Sequence, residues 1–201
     1  PKDMLLEFEK EVLGIYVSGH PLEEDIALMK RHTSNITTDF YLDEETGLPK
    51  VADKEQIIIG GLISEKKIKY TKNDKVMAFL QVEDLVGTVE VIVFPKIYEE
   101  SSSKLNEDSK VFVRGHASVE EDKDAKLIAD KITSFGEIPK TLWLQFEDLS
   151  AYENSEKDLL SAIAGNEGHD AIGIFIRNTK QMKKLSSKFN INADAALLEK
   201  L

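Results

Sequence analysis

The chain has 201 residues, no cysteine and a formal net charge of −11, and 41% of its residues are hydrophobic. This content is enough to bury a core in one or two domains, and no apolar run approaches the ~20 residues of a membrane-spanning helix. The lack of cysteine excludes disulfides and thiolate metal sites, so we expect a cytoplasmic protein without membrane contact. Because the chain opens on Pro1 instead of methionine, we also expect a piece of a longer protein.

Two helices and a connector are predicted before the first strand. Apolar residues at intervals of three and four predict an amphipathic helix over residues 3–17. A second helix starts at Pro21 and ends near His32, where cations favour the helix dipole. Residues 34–55 are polar without a sustained period. We therefore predict a helical segment over 1–33 and a connector over 34–55. The apolar residues of the first helix are Leu5, Phe8, Val12 and Ile15.

Three strands follow, each with the alternation of a half-buried strand. They are predicted over residues 57–70, 76–83 and 89–94. Gly60 and Gly61 inside the first strand predict a bulge or a sharp bend. Gly87 is expected to supply a positive φ in the hairpin between the second and third strands.

A helix-permissive stretch over 96–105 and two more alternating runs, 110–119 and 126–135, complete a β-β-β-α-β-β order. This is the order of the OB fold, a five-stranded barrel that binds oligonucleotides on strands 2 and 3 and on the loops joining strands 1 to 2 and 4 to 5. We therefore predict an OB-fold domain over residues 56–138.

Residues 139–201 are predicted to form a small C-terminal β-α-β-β-α domain. Its first strand, 141–146, places Trp143 on the face opposite its other apolar residues. Ser155 is expected to cap the next helix, the strands 171–176 and 181–185 to pair, and Asn192 to cap the last helix. The fold class is thus α+β: an N-terminal helix pair, a five-stranded OB barrel and this small domain.

The candidate nucleic-acid site lies on the first hairpin and the second strand. Residues 60–80 hold five lysines against Glu65 and Asp74, a local charge of +3. Phe79 is on the face of its strand opposite Leu80, where a base could stack. Against this, Glu90 shares that face and residues 120–124 are acidic, so a solubilising role for the lysines and a core role for Phe79 stay open. The predicted binding residues are Lys66, Lys67, Lys69, Tyr70, Lys72, Lys75, Phe79 and Gln81.

No catalytic or metal site is predicted. The acidic run Asp43-Glu44-Glu45 lacks the spacing of a calcium loop and is interpreted as a solvated turn. His20 and Asp25 are conceivable as an acid/base pair, but a histidine between glycine and proline is more often a packing or capping residue. We therefore expect no catalytic residue, no cofactor and no small-molecule substrate.

One motif carries a specific resemblance. Residues 9–22, EKEVLGIYVSGHPL, resemble the EKELLGxYxSGHPL signature of the bacterial replicative DNA polymerase III alpha subunit. The barrel residues Met77-Ala78-Phe79-Leu80 and Val93-Phe94-Pro95 are similar to the OB domain of that family, and the chain from Leu142 resembles its C-terminal domain. The resemblance covers essentially all 201 residues.

This resemblance implies a non-catalytic C-terminal part of a DNA-directed DNA polymerase, a nucleotidyltransferase whose catalytic carboxylates are absent from this chain. It implies that the barrel binds single-stranded template DNA and that the C-terminal domain docks to the clamp-loader tau subunit or other replisome proteins. Two alternatives remain open. One is a protein-interaction module without DNA contact. The other is a tRNA-binding OB module, similar in Phe79, Asp84 and Gly87 but without the SGHPL segment.

Overall fold

The computed structural model describes residues 19 to 200, so the helix predicted over residues 3–17 lies outside the described residues. The chain divides into two compact units, Pro1–Phe135 and Gly136–Leu201, each of which has its own hydrophobic core. A finer division of the first unit at residues 33 and 55 stays a proposal.

The first unit is built around a closed five-stranded barrel. Its strands are adjacent in the order β1-β2-β3-β5-β4, with β3 and β5 parallel and the other pairs antiparallel. A helix between β3 and β4, α2, continues as a 3-10 turn over Ser102–Lys104. The OB-fold barrel predicted from the strand order is therefore confirmed. The elements are β1 Gln56–Tyr70, β2 Val76–Glu83, β3 Thr88–Val93, α2 Pro95–Ser101, β4 Lys110–Ser118 and β5 Lys126–Ser134.

Alternate residues of each strand fill the barrel core, as the period of two predicts. Ala78, Leu80 and Val82 of β2 are fully buried. The core also takes Phe40 and Val51 from the stretch interpreted as a connector. Phe40 ends a 3-10 turn over Thr37–Phe40, and its ring is 0% exposed. The polar stretch before β1 is therefore part of the barrel's packing.

The glycines of the barrel are required for space. Gly87 does not have a positive φ, so that expectation is wrong. A Cβ on Gly87 would overlap the Tyr41 hydroxyl, which accepts a hydrogen bond from the Thr88 amide at 2.9 Å. Similarly, the bulge of β1 falls between Ile63 and Glu65. The sequence suggested a bulge or bend at Gly60 and Gly61, and the observed bulge lies beyond these two glycines.

Asp84 joins the connector to the β2–β3 hairpin. Its side chain is buried, and it accepts hydrogen bonds from the Thr37 amide and hydroxyl at 2.8 and 2.7 Å. The amides of Val86 and Gly87 donate to the same carboxylate at 2.8 and 3.0 Å. A buried carboxylate is stable only when its lone pairs are satisfied in this way. One side chain thus holds two segments that are 47 residues apart.

Before the barrel, a 3-10 turn over Glu23–Asp25 leads into helix α1, Ile26–His32. The helix ends at His32, as its basic last turn predicted. The ring of His32 lies 5.6 Å from the ring of Phe112, which stacks on Phe135 at 4.3 Å. Helix α1 is therefore fixed against the outer surface of β4.

The second unit is a three-stranded sheet in the order β6-β7-β8, with β6 and β7 parallel and β8 antiparallel to β7. Helix α3 packs Tyr152, Leu159 and Ile163 against one face of the sheet. Among the described residues, no helix is long and apolar enough to cross a membrane. The elements are β6 Thr141–Phe146, α3 Leu149–Ile163, β7 Glu167–Ile176, β8 Gln181–Lys184, a 3-10 turn Ser187–Phe189 and α4 Ala195–Leu198.

Both helix caps predicted in the second unit are wrong. Helix α3 begins six residues before Ser155, and Asp148 caps it by accepting from the Ala151 amide at 2.8 Å. In α4 the cap is Asp194, which accepts from the Leu197 amide at 2.9 Å, and not Asn192. An aspartate is as good an N-cap as serine or asparagine, so propensity alone does not choose among neighbouring candidates.

Prediction for the Asp84 carboxylate. The substitution Asp84→Ala leaves the amides of Thr37, Val86 and Gly87 without their acceptor. We expect it to lower the free energy of unfolding of the first unit by about 2 to 4 kcal/mol, measured by urea denaturation with far-UV circular dichroism. Glu100→Ala, at an exposed position on α2, is the control and should stay within about 0.5 kcal/mol. If Asp84→Ala unfolds at the same urea concentration as the parent chain, the carboxylate does not stabilise the first unit.

Prediction for Tyr152. Burial raises the pKa of Tyr152 to about 12, and a 2.6 Å hydrogen bond from its hydroxyl to Glu156 adds to this effect. The pKa of Tyr152 in the folded protein exceeds the ordinary 10.0. The contribution of this phenol to the free energy of unfolding is therefore complete below pH 10 and is lost as the pH rises through 12. In a tyrosinate absorbance titration, Tyr152→Phe should remove the latest step. Tyr70→Phe, at an exposed tyrosine, should leave that step in place.

Candidate nucleic-acid interface

The outward side chains of β1, β2 and β3 form one continuous surface, here called the outer face. Phe79 and Gln81 point outward because they alternate with the buried Ala78, Leu80 and Val82. Strand pairing places Phe79 between Lys67 of β1 and Ile92 of β3, and it places Gln81 between Glu65 and Glu90. The outer face consists of Glu65, Lys67, Lys69, Phe79, Gln81, Glu90 and Ile92.

Phe79 lies at the centre of the outer face and is partly exposed. The ammonium nitrogen of Lys69 is 4.6 Å from the centre of its ring. This distance is typical of a cation–π contact. The contact holds the lysine above the ring without an ion pair to a carboxylate. The structure therefore brings a partly exposed aromatic ring and a cation together at one point.

Two ion pairs flank this centre. Lys67 is 2.8 Å from Glu65, and the hydrogen bond and charge of that carboxylate raise the pKa of Lys67. Lys126 at the start of β5 is 2.8 Å from Glu90, whose contact raises the pKa of Lys126. Glu90 Oε1 has no well-aligned hydrogen bond, so its contact with Lys126 is an ion pair without hydrogen-bond geometry. A phosphate at either lysine has to compete with a carboxylate.

The alternation of β1 places the predicted residues on two sides of the strand, and the bulge decides which side they share with Phe79. After the bulge, Lys66 pairs with the buried Leu80, and Tyr70 pairs with Val76. Lys66 and Tyr70 therefore lie on the side of β1 opposite Lys67 and Lys69, although Tyr70 is 71% exposed. Lys72 and Lys75 are exposed in the hairpin loop that follows β1. The structure brings together four of the eight predicted residues: Lys67, Lys69, Phe79 and Gln81.

Next to the outer face is an open, polar cleft of about 340 Å³. Gln81 and Glu90 form part of its wall, and the turn after Phe40 forms another part. Sequence reasoning did not find Lys126 or Tyr41, because the first depends on the parallel β3–β5 pair and the second on the Asp84 contacts. The cleft is lined by Phe40, Tyr41, Gln81, Thr88, Val89, Glu90, Asp124, Ala125 and Lys126.

The acidic loop between β4 and β5 makes contacts of its own. Glu120 pairs with Lys123 at 2.6 Å, and Asp124 accepts the Leu42 amide at 2.8 Å. The Asp124 contact fixes the loop to the segment that enters the barrel core. Two of the loop's acids are therefore engaged within the protein.

The other residues considered at the sequence level have structural contacts. His20 Nδ1 accepts the Leu22 amide at 3.1 Å, so Nε2 carries the proton and donates to Glu83 at 3.1 Å. Asp25 instead bonds Lys110 at 2.7 Å. Asp43 accepts a hydrogen bond from the Thr46 amide, and this bond is the main cause of the lowered pKa of Asp43. Within residues 19–200, no group of three or more acidic, histidine or cysteine side chains converges as a metal site.

A comparison with protein-family models agrees with the OB-fold assignment of the barrel. Residues 57–135 match the model of a family described as an OB-fold nucleic acid binding domain. This match covers the strands that form the outer face and the barrel core.

Three similar relatives share one name, DNA polymerase III subunit alpha. The chain is 31% identical to the protein of Aquifex aeolicus over 176 residues, which is 85% of the chain and 14% of that relative. It is 30% identical to the Bacillus subtilis protein over 203 residues and 31% identical to the Borreliella burgdorferi protein over 211 residues. Each of the latter two matches covers 98% of the chain and 17% of the relative.

The chain thus spans well under a fifth of the length of these relatives, and the similarity runs through both units. The resemblance carried by the SGHPL motif and the barrel residues is confirmed. The chain therefore belongs to the bacterial DNA polymerase III alpha subunit family as a segment of such a subunit, and it contains an OB-fold nucleic-acid-binding domain.

Proposed function

We propose that this segment binds single-stranded DNA through the outer face of its barrel, as a non-catalytic part of a replicative polymerase in the bacterial cytoplasm. The observation that carries the proposal is the position of Phe79, with Lys69 over its ring and Lys67 beside it. When Lys69 moves from above the ring to a flanking phosphate, a base can stack on the ring, and Lys67 can contact another phosphate. Such binding tolerates any sequence, since every base has a π-face.

A single strand suits this surface better than a duplex. Phe79 can reach a base only if the base is unstacked from its neighbours, as in single-stranded nucleic acid. Kinship with DNA polymerase subunits favours DNA over tRNA as the ligand. The cleft beside Gln81 offers polar groups to a second nucleotide.

Binding is expected to be weak. Glu65 and Glu90 compete with phosphate for Lys67 and Lys126, and the net charge of −11 opposes a polyanion. A low affinity suits a surface that a template strand has to pass during synthesis. The affinity should fall with salt, because each lysine–phosphate contact releases counter-ions.

Prediction for the outer face. Lys69→Ala should make the slope of log affinity against log salt shallower by about 0.7, the value for one lost phosphate contact on a single strand. Lys66→Ala removes the same charge from the neighbouring position on the other side of β1 and should change the slope little. Phe79→Ala should weaken binding by about 1 to 3 kcal/mol with little change in slope, because stacking releases no counter-ions. The measurement is fluorescence anisotropy of a labelled oligonucleotide.

Equal effects of Lys69→Ala and Lys66→Ala would contradict the proposal, because only one of these side chains lies on the outer face. Retention of full affinity by Phe79→Ala would do the same. Either result would place the bound strand on another surface of the chain, whereas no binding by the parent chain would favour the alternative in which the barrel binds proteins without touching DNA.

The second candidate function concerns the second unit, which we propose docks to a replisome protein, with the clamp-loader tau subunit as the partner. Two exposed leucines support it: Leu149 at the start of α3 is 51% exposed, and Leu198 at the end of α4 is 50% exposed. Neither leucine belongs to the core of the unit, so both side chains are available for contact with a partner.

Prediction for docking. Leu149→Asp and Leu198→Asp should each weaken binding of the chain to purified tau subunit by tenfold or more, about 1.4 kcal/mol, measured by calorimetry. Leu48→Asp, at a leucine in the first unit that is 60% exposed, is the matched control and should bind normally. If neither second-unit variant weakens binding while the parent chain binds, the leucines are not the docking surface.

A further inference from the structure

The face of the second sheet opposite helix α3 carries exposed aromatic and apolar side chains. Trp143 is 40% exposed and Met182 is 64% exposed, and both belong to this side of the sheet. Strand pairing places Trp143, Gly173 and Lys184 in one row across β6, β7 and β8, and Gln145, Phe175 and Met182 in the next. These six residues are here called the open face.

The indole of Trp143 lies over Gly173. A Cβ on Gly173 would overlap three atoms of the six-membered ring of the indole, so the ring rests on the bare backbone of β7. The ring is thereby packed against β7, and the side chain remains 40% exposed. Lys184 on β8 pairs with Gly173 from the side of β7 opposite Trp143, so it lies in the same row as the indole. A partly exposed indole packed on a glycine, with a lysine in the same row, offers a stacking surface and a cation to a ligand.

The charge around β8 departs from that of the rest of the chain. Residues 171–190 contain five basic residues and no acidic residue, although the whole chain has a net charge of −11. Arg177 is 3.4 Å from Glu147, and Lys188 lies 4.8 Å from the ring centre of Phe189. The basic residues of this stretch are Arg177, Lys180, Lys183, Lys184 and Lys188.

We propose that the open face is a second binding surface for single-stranded nucleic acid, independent of the barrel. A base stacks on the outer side of the Trp143 indole, Phe175 and Met182 supply apolar contact for its neighbour, and Lys184 binds the phosphate between them. The anionic backbone complements Lys184 and the basic stretch around it, and a base complements the exposed indole. An acidic protein partner would satisfy the charge but would not need an exposed indole packed on a glycine.

A consequence of this placement is that Trp143 reports on the open face alone, because it is the only tryptophan of the chain. A base stacked on an indole quenches its fluorescence. Quenching of tryptophan emission therefore measures binding at this surface, and anisotropy of a labelled strand measures binding at the barrel as well. Failure of the outer-face proposal and failure of this one are thereby distinguishable.

The experiment titrates the full chain with oligothymidylate of about ten nucleotides at low salt and follows tryptophan emission. We expect quenching in the parent chain and equally in Phe79→Ala, because the barrel is not involved. Lys184→Glu should weaken the affinity by about threefold or more and make its loss with salt shallower, because one phosphate contact is removed. The control Lys157→Glu makes the same charge change on α3, on the other side of the sheet, and should have no effect.

Trp143→Ala removes the reporter and is tested by anisotropy in the Phe79→Ala background. The affinity that remains there should fall by about fivefold or more, with an unchanged far-UV spectrum as the check on folding. Three results would overturn the proposal: no quenching by oligothymidylate, quenching that disappears in Phe79→Ala, or quenching by polyglutamate but not by oligothymidylate. The last would assign the open face to an acidic protein.

Discussion

The barrel depends on the buried Asp84 carboxylate. It accepts two hydrogen bonds from Thr37 and two from its own hairpin, so it fixes the turn that carries Phe40 into the core. The same turn brings the Tyr41 hydroxyl to the Thr88 amide. Both aromatic residues line the cleft beside the outer face. A single buried charge thus connects the stability of the barrel to the shape of its candidate binding surface.

The outer face follows from strand geometry and is modified by one irregularity. The period of two puts Phe79 and Gln81 outside the barrel as soon as Leu80 is inside. The bulge after Ile63 then decides which lysines share that side, because one extra residue exchanges the two faces of a strand. Without the bulge, Lys66 would lie beside Phe79 in place of Lys67. Predictions of a binding face from alternation therefore need the position of every bulge.

Charge in this chain is informative only when it is resolved locally. The net charge of −11 is unfavourable for binding nucleic acid, yet residues 60–80 and residues 171–190 are both net basic. Carboxylates are nevertheless present on the outer face, where Glu65 and Glu90 hold two lysines in ion pairs. Exchange of a carboxylate for a phosphate changes the net interaction little, which is compatible with a strand that slides. The open face has a different composition, with an indole and no acidic side chain among its six residues.

The sequence by itself determined the order of the strands, the OB-fold barrel and the family, because alternation and motif residues are local properties that need no knowledge of distant contacts. It also placed Phe79 on the outside of β2. Only the tertiary structure decided that Phe40 enters the core, that Lys126 pairs with Glu90, that Lys67 and Lys69 rather than Lys66 share the side of Phe79, and that Asp148 and Asp194 are the helix caps. The Asp84 contact joins residues 47 positions apart, and the β3–β5 pair closes the barrel across an intervening helix and strand. Such contacts form only when the closed barrel sets the distance between the partners, so no local pattern encodes them.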